Sequence, residues 1–134
     1  VQRLRQQVLE PLSRNEPGYY QQYDWLRDEL AAFRSVPVGG VVMVEGIYAL
    51  LPLLADYYDY TIWMGCPDEI RLERGLARDG ESARDLWVNR WMPAEARYVE
   101  THQPQVKADL VVDSSQEIEH NPDLEFVRVL DGTS

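Results

Sequence analysis

Apolar positions along the chain alternate between helical spacing and short continuous runs, and that alternation predicts the elements. In VQRLRQQVLEPLSR, Leu4, Val8 and Leu12 recur at four-residue spacing, which predicts an amphipathic helix over residues 1–14. NEPG, residues 15–18, breaks it. The aromatic stretch 19–25, YYQQYDW, is extended in character and fits a strand or an ordered loop. Residues 26–37 are ambiguous, because LRDELAAF has helical propensity yet lies between a strand signal and a proline. Residues 41–45 predict a buried strand, and YALLPLLADYY after it a short helix containing Pro52.

A second apolar strand is expected at 59–65 and a third at 108–115. Between them lies the helix PDEIRLERGLARDG, with Pro67 suited to its first turn and Gly80 to its stop. A long helical stretch follows from Glu81 to Gln103, interrupted at Pro93. Residues 116–123 form a polar connection, and LEFVRVLD, 124–131, a last edge-type strand.

Continuous apolar strands alternating with helices predict an α/β fold with a parallel sheet covered on both faces. In such sheets ligands gather at the carboxyl ends of the strands. Glu45 closes the run Val41–Val44, so it stands where a site residue would stand; capping of the following helix is the structural alternative.

Composition narrows the partners. A length of 134 residues fits one domain or part of a larger one, and 45% apolar content permits a core. A net charge of −10 disfavours nucleic acid as a partner, although a local arginine cluster could still hold a small phosphorylated ligand. Cys66 is the only cysteine, which points to a reducing compartment and a cytoplasmic location. No apolar run approaches the ~18–20 residues of a membrane span, so no membrane association is expected. The chain opens without methionine in what looks like mid-helix, so a longer protein is expected.

Candidate chemistry concentrates in the helix 67–80. Arg71, Arg74 and Arg78 fall at i, i+3 and i+7 on one face, with Leu72 and Leu76 on another. A stripe of like charges repels itself, so it either meets a polyanion or pairs with local acids such as Glu69, Glu73 and Asp79. Trp87, Trp91, Ala94 and Tyr98 follow at helical spacing and predict core packing. Asp68 and Asp79 suit capping or ion pairing, and His102 and His120 stand apart from any metal-ligand spacing.

The ordered set VLEPL (8–12), YDW (23–25), VVMVEGIYAL (41–50), RLERGLARD (71–79), W-x3-W-M-x2-E-x2-Y (87–98) and ADLVVD (108–113) resembles the uridine kinase-like group of P-loop small-molecule kinases. The resemblance covers most of residues 1–134. It implies a single partial domain: a three-layer parallel sheet of P-loop nucleoside-kinase type, an acceptor-side hairpin at about 19–37 and lid helices at about 67–103. It further implies transfer of the γ-phosphoryl of ATP, with Mg2+, to a hydroxyl of a nucleoside or other small molecule. By that resemblance Arg74 and Arg78 cover the reacting phosphates, with Arg71 outermost. Glu45 sits on the Mg2+ side, and Tyr23, Asp24 and Arg27 enclose the acceptor.

No G-x4-G-K-[ST] occurs in these residues, so the phosphate cradle and its N-terminal P-loop strand are absent from this chain. The lid continues GESARD and lacks the family's arginine-glycine pattern, so uridine itself is not specified. The expectation is a longer kinase whose 134-residue part is inactive alone. The alternatives are a truncated, inactive homologue acting as a binding module, able to self-associate through open sheet edges, and a related pantothenate or sugar kinase.

Overall fold

The computed structural model describes residues 1–130, so Asp131 of the last expected strand lies outside the described residues. The chain divides into two compact units, Val1–Tyr58 and Asp59–Ser134.

The first unit opens with a continuous helical run, α1. It comprises Gln2–Leu4, a π-type segment Arg5–Leu9, and Glu10–Ser13. The wide turn, closed by Glu10 N–H to Arg5 O, ends just before Pro11. A proline ring crowds the carbonyl of a tight preceding turn, and a widened turn relieves that. The predicted face is the buried one: Val8 and Leu9 join the fully buried Leu54, and Leu4, Leu12, Val36, Val44, Tyr57 and Tyr58 pack around them.

Strands β1 (Gly18–Asp24) and β2 (Glu29–Val36) form an antiparallel hairpin, with the register shifting between Gln21 and Tyr23. The ambiguity over 26–37 is resolved in favour of a strand. The ladder along β1 outweighs the local helical preference of LRDELAAF, a tertiary effect that propensity cannot anticipate.

The strand expected at 41–45 is not formed. These residues are unladdered coil, with Val41 95% and Met43 86% exposed, and only Val44 reaches the core. An apolar run becomes a strand only when a neighbour accepts its backbone hydrogen bonds. Helix α2 is a single turn, Pro52–Ala55, which Pro52 begins instead of interrupting, and which supplies Leu54.

The second unit is built on β3 (Ile62–Gly65), β4 (Leu110–Asp113) and β5 (Val127–Arg128), in that order. β3 and β4 are parallel, with Ile62 opposite Leu110 and Gly65 opposite Asp113. β5 runs antiparallel to β4, so this small sheet is mixed, whereas a wholly parallel one was expected. The fold class that stands is mixed α/β.

Three helical stretches connect β3 to β4. α3 (Asp68–Asp79) starts after Pro67 and stops at Gly80, whose φ of 87° ends the helix as the sequence predicts. α4 runs through Glu81–Ala83, Arg84–Leu86, a π segment Trp87–Trp91 and Met92–His102; α5 is Pro104–Lys107. The interruption expected at Pro93 takes the same form as at Pro11, a π turn ending just before the proline. Tyr98 of α4 is buried, with its ring 6.5 Å from that of Trp63 on β3. Thr61 and Asp109 clamp the strand starts: the Thr61 amide and hydroxyl donate to Asp109 Oδ2 at 2.8 and 2.7 Å. No helix among the described residues is long and apolar enough to cross a membrane.

Candidate functional site

In the second unit, α3 begins just after β3 ends, and its Arg74 reaches the residues that follow β4. Arg74 acts as a staple there. Its Nη1 donates to Ser114 O at 2.7 Å, and its Nη2 to Ser115 O at 3.0 Å and Gln116 Oε1 at 3.3 Å. The Cys66 thiol lies 3.7 Å from Nη1. The carbonyls it grips are themselves positioned: Ser114 donates from both amide and hydroxyl to Gly65 O, at 2.8 and 2.9 Å. The Ser115 amide donates to Asp113 Oδ1 at 2.7 Å, and this bond is the main reason the Asp113 carboxyl sits below its usual range.

Arg71 is half-buried between α3 and α4, paired with Asp68 at 2.6 Å and with Glu95. Burial works against its charge, but the bonds and charges of Asp68 and Glu95 outweigh that and raise the guanidinium above its ordinary value.

Arg78 is exposed, and its fork closes on its sequence neighbour. Nε donates to Asp79 Oδ1 at 2.7 Å and Nη2 to Oδ2 at 2.9 Å. Trp87 completes the cluster: its indole N–H donates to the same Oδ2 at 3.0 Å, and its ring centroid lies 5.9 Å from Arg78 Cζ. The Arg78 hydrogen bond, with help from Trp87 and against some burial, holds the Asp79 carboxyl below its usual range; Asp79 in turn raises Arg78. The indole approaches α3 this closely because residue 75 is glycine. A Cβ there would lie 2.5 Å from Trp87 Cε2.

The three arginines therefore share a helix but not a task. Arg71 and Arg74 hold elements together, whereas the Arg78 fork is filled by its own sequence neighbour Asp79, a group that a ligand could replace. The expected pairing with local acids holds, through Asp79 together with Asp68 and Glu95 rather than Glu69 and Glu73.

The other candidates lie in the first unit. Tyr23, Asp24 and Arg27 gather at the hairpin turn. Asp24 Oδ1 accepts from the amides of Leu26 and Arg27 at 3.0 and 3.1 Å, Tyr23 donates its hydroxyl to Asp28, and the Tyr23 ring meets Trp25 edge-on at 4.8 Å. Arg27 lies 3.9 Å from both Asp24 and Glu29. Beyond the turn, Trp25 is 86% and Leu26 99% exposed. Glu45 follows the coil 41–44 and is exposed. Among the described residues no group of three or more His, Cys, Asp or Glu could hold a metal ion.

Sequence reasoning missed the partnership of Trp87 with Arg78 and Asp79. The available signal was Gly75, a glycine inside an otherwise strong helix, which marks a close approach. The carbonyl grip of Arg74 spans 40 residues and left no local trace. No protein-family model matches the chain, and neither does any curated protein.

Proposed function

We propose that the chain is the C-terminal portion of a P-loop kinase of three-layer α/β type that transfers the γ-phosphoryl of ATP to a hydroxyl of a nucleoside or similar small molecule. The observation that carries this reading is the arginine helix α3, which starts just after β3, with Arg78 exposed and Arg74 tying the helix to the residues that follow β4. Phosphoryl transfer asks a protein mainly for positioning and charge neutralisation. A guanidinium fork on a stapled helix supplies both. Magnesium would arrive largely on the nucleotide's own phosphates, with Glu45 as one carboxylate near it. Tyr23, Asp24 and Arg27 would face the acceptor.

The coding sequence upstream of Val1 is the direct test. A G-x4-G-K-[ST] there, together with ATP-dependent phosphorylation of a nucleoside panel by the longer protein, supports the reading. Arg78→Ala should then lower turnover by about a hundredfold or more, with the circular dichroism spectrum unchanged. A longer protein that binds no ATP ends the proposal.

The exposed apolar coil at Val41 and Met43 favours a second reading, an inactive homologue that acts as an interaction module. Calorimetry on the 134-residue chain separates the two: micromolar binding of Mg·ATP is incompatible with the interaction module.

A further inference from the structure

The group that fills the Arg78 fork is the side chain of the next residue. Two parallel N–H···O bonds to one carboxylate, at 2.7 and 2.9 Å, are the pattern a guanidinium also makes to two oxygens of a phosphate. Because Asp79 adjoins Arg78 in sequence, this partner is always present. Trp87 fixes the arrangement from below, donating to the same carboxylate oxygen with its ring under the guanidinium. Gly75 leaves the space the indole needs.

Resting on the phosphate-facing reading of Arg78, we propose that Asp79 is a positioning residue that occupies the arginine fork in place of a ligand's phosphate and stores Arg78 on Trp87 until a phosphate displaces it. Arg71 and Arg74 cannot be released in this way without loosening α3 from Glu95 or from the carbonyls of Ser114 and Ser115. Exposed ion pairs are weak, so a polyphosphate, with more charge and the same bidentate geometry, outcompetes a single carboxylate. Displacement also frees the Trp87 indole N–H to donate to the incoming phosphate. The fork thus opens when a polyanion arrives and is shielded otherwise.

The test is a titration of the 134-residue chain with inorganic tripolyphosphate at low ionic strength. Affinity is read by calorimetry, and the four indole N–H signals by nuclear magnetic resonance, with Trp87 assigned through Trp87→Phe. Asp79→Asn keeps an acceptor for the indole but not the paired charge. It should tighten binding by about twofold to fivefold, the size of a lost exposed pair. Asp79→Ser should rank the same way and guards against a fault peculiar to the asparagine. Glu73→Gln, which removes an equal charge from the same helix, should tighten it by less than about twofold. The Trp87 signal should move on titration of the wild type. If Arg78→Ala leaves the affinity unchanged, both the phosphate-facing reading and the proposal fall. If Arg78→Ala weakens binding while Asp79→Asn gains no more than Glu73→Gln, the phosphate-facing reading stands and Asp79 is not its gate.

Discussion

Replacing Gly75 by alanine sets two effects of opposite sign against each other, and the structure decides between them. In an open helix the change would stabilise by about 1 kcal/mol, because glycine is a poor helix former. Here the new methyl carbon would lie 2.5 Å from Trp87 Cε2 and 2.9 Å from Cη2. The ring cannot simply drift aside. Its N–H is bonded to Asp79, and its face meets Trp91 edge-on at 5.3 Å.

Overpacking of this kind costs about 1–3 kcal/mol. If the indole swings out, it loses a hydrogen bond of about 1 kcal/mol and a ring contact of about 0.5–1.5 kcal/mol. After the propensity gain, Gly75→Ala should destabilise by about 0.5–2 kcal/mol, a fall in Tm of roughly 2–7 °C for a chain of this size. Thermal and urea denaturation followed by circular dichroism measure it. In a Trp87→Ala background the same Gly75→Ala change should instead stabilise, which makes the pair a double-mutant cycle. Stabilisation by Gly75→Ala in the wild-type background would refute the contact, and with it the platform on which Arg78 is stored.

Two further outcomes follow from the same structure. Leu54 is fully buried at the centre of the first unit, so Leu54→Ala should cost about 2–5 kcal/mol in urea denaturation; a loss below about 1 kcal/mol would mean that α2 does not dock there. The Asp109 carboxyl is held below its usual range chiefly by the Thr61 hydroxyl and next by the Thr61 amide. Its contribution is therefore complete above the ordinary carboxylate pKa of about 3.9. It is lost as pH falls through the lower folded value, where the unfolded chain binds more protons. Denaturation midpoints measured from about pH 5 down to pH 2.5 should fall more steeply for the wild type than for Asp109→Asn, and parallel acid limbs would contradict the clamp.

What could be read from the sequence was what local pattern determines. The face of α1, the start of α3 after Pro67 and its stop at Gly80 depend on residues within a turn or two, and the structure has them as expected. The second hairpin strand was not legible, because its pairing with β1 overrides a helical preference. Residues 41–45 failed for the converse reason: their apolar character is strand-like, but no ladder among the described residues completes them. The arginine stripe was legible as a stripe. Its division into staple, interhelix pair and stored fork was not, because Ser114, Glu95 and Trp87 reach it from elsewhere in the chain.

Exposed apolar side chains occur in both units: Val41 and Met43 in the first, and Ile62 and Met64 on β3 in the second. β3 is an edge strand with neither proline nor charge along it, and nothing along it blocks pairing with another strand. A nucleotide could engage Arg78, but it cannot supply a ladder of backbone donors and acceptors together with apolar area. Only polypeptide does both. An added strand on this edge is compatible with both the kinase reading and the interaction reading. Paired backbone amides are protected from exchange. Protection of the Ile62–Gly65 amides should therefore rise when a longer chain or a partner strand is supplied, and stay unchanged when Mg·ATP is added to these residues alone.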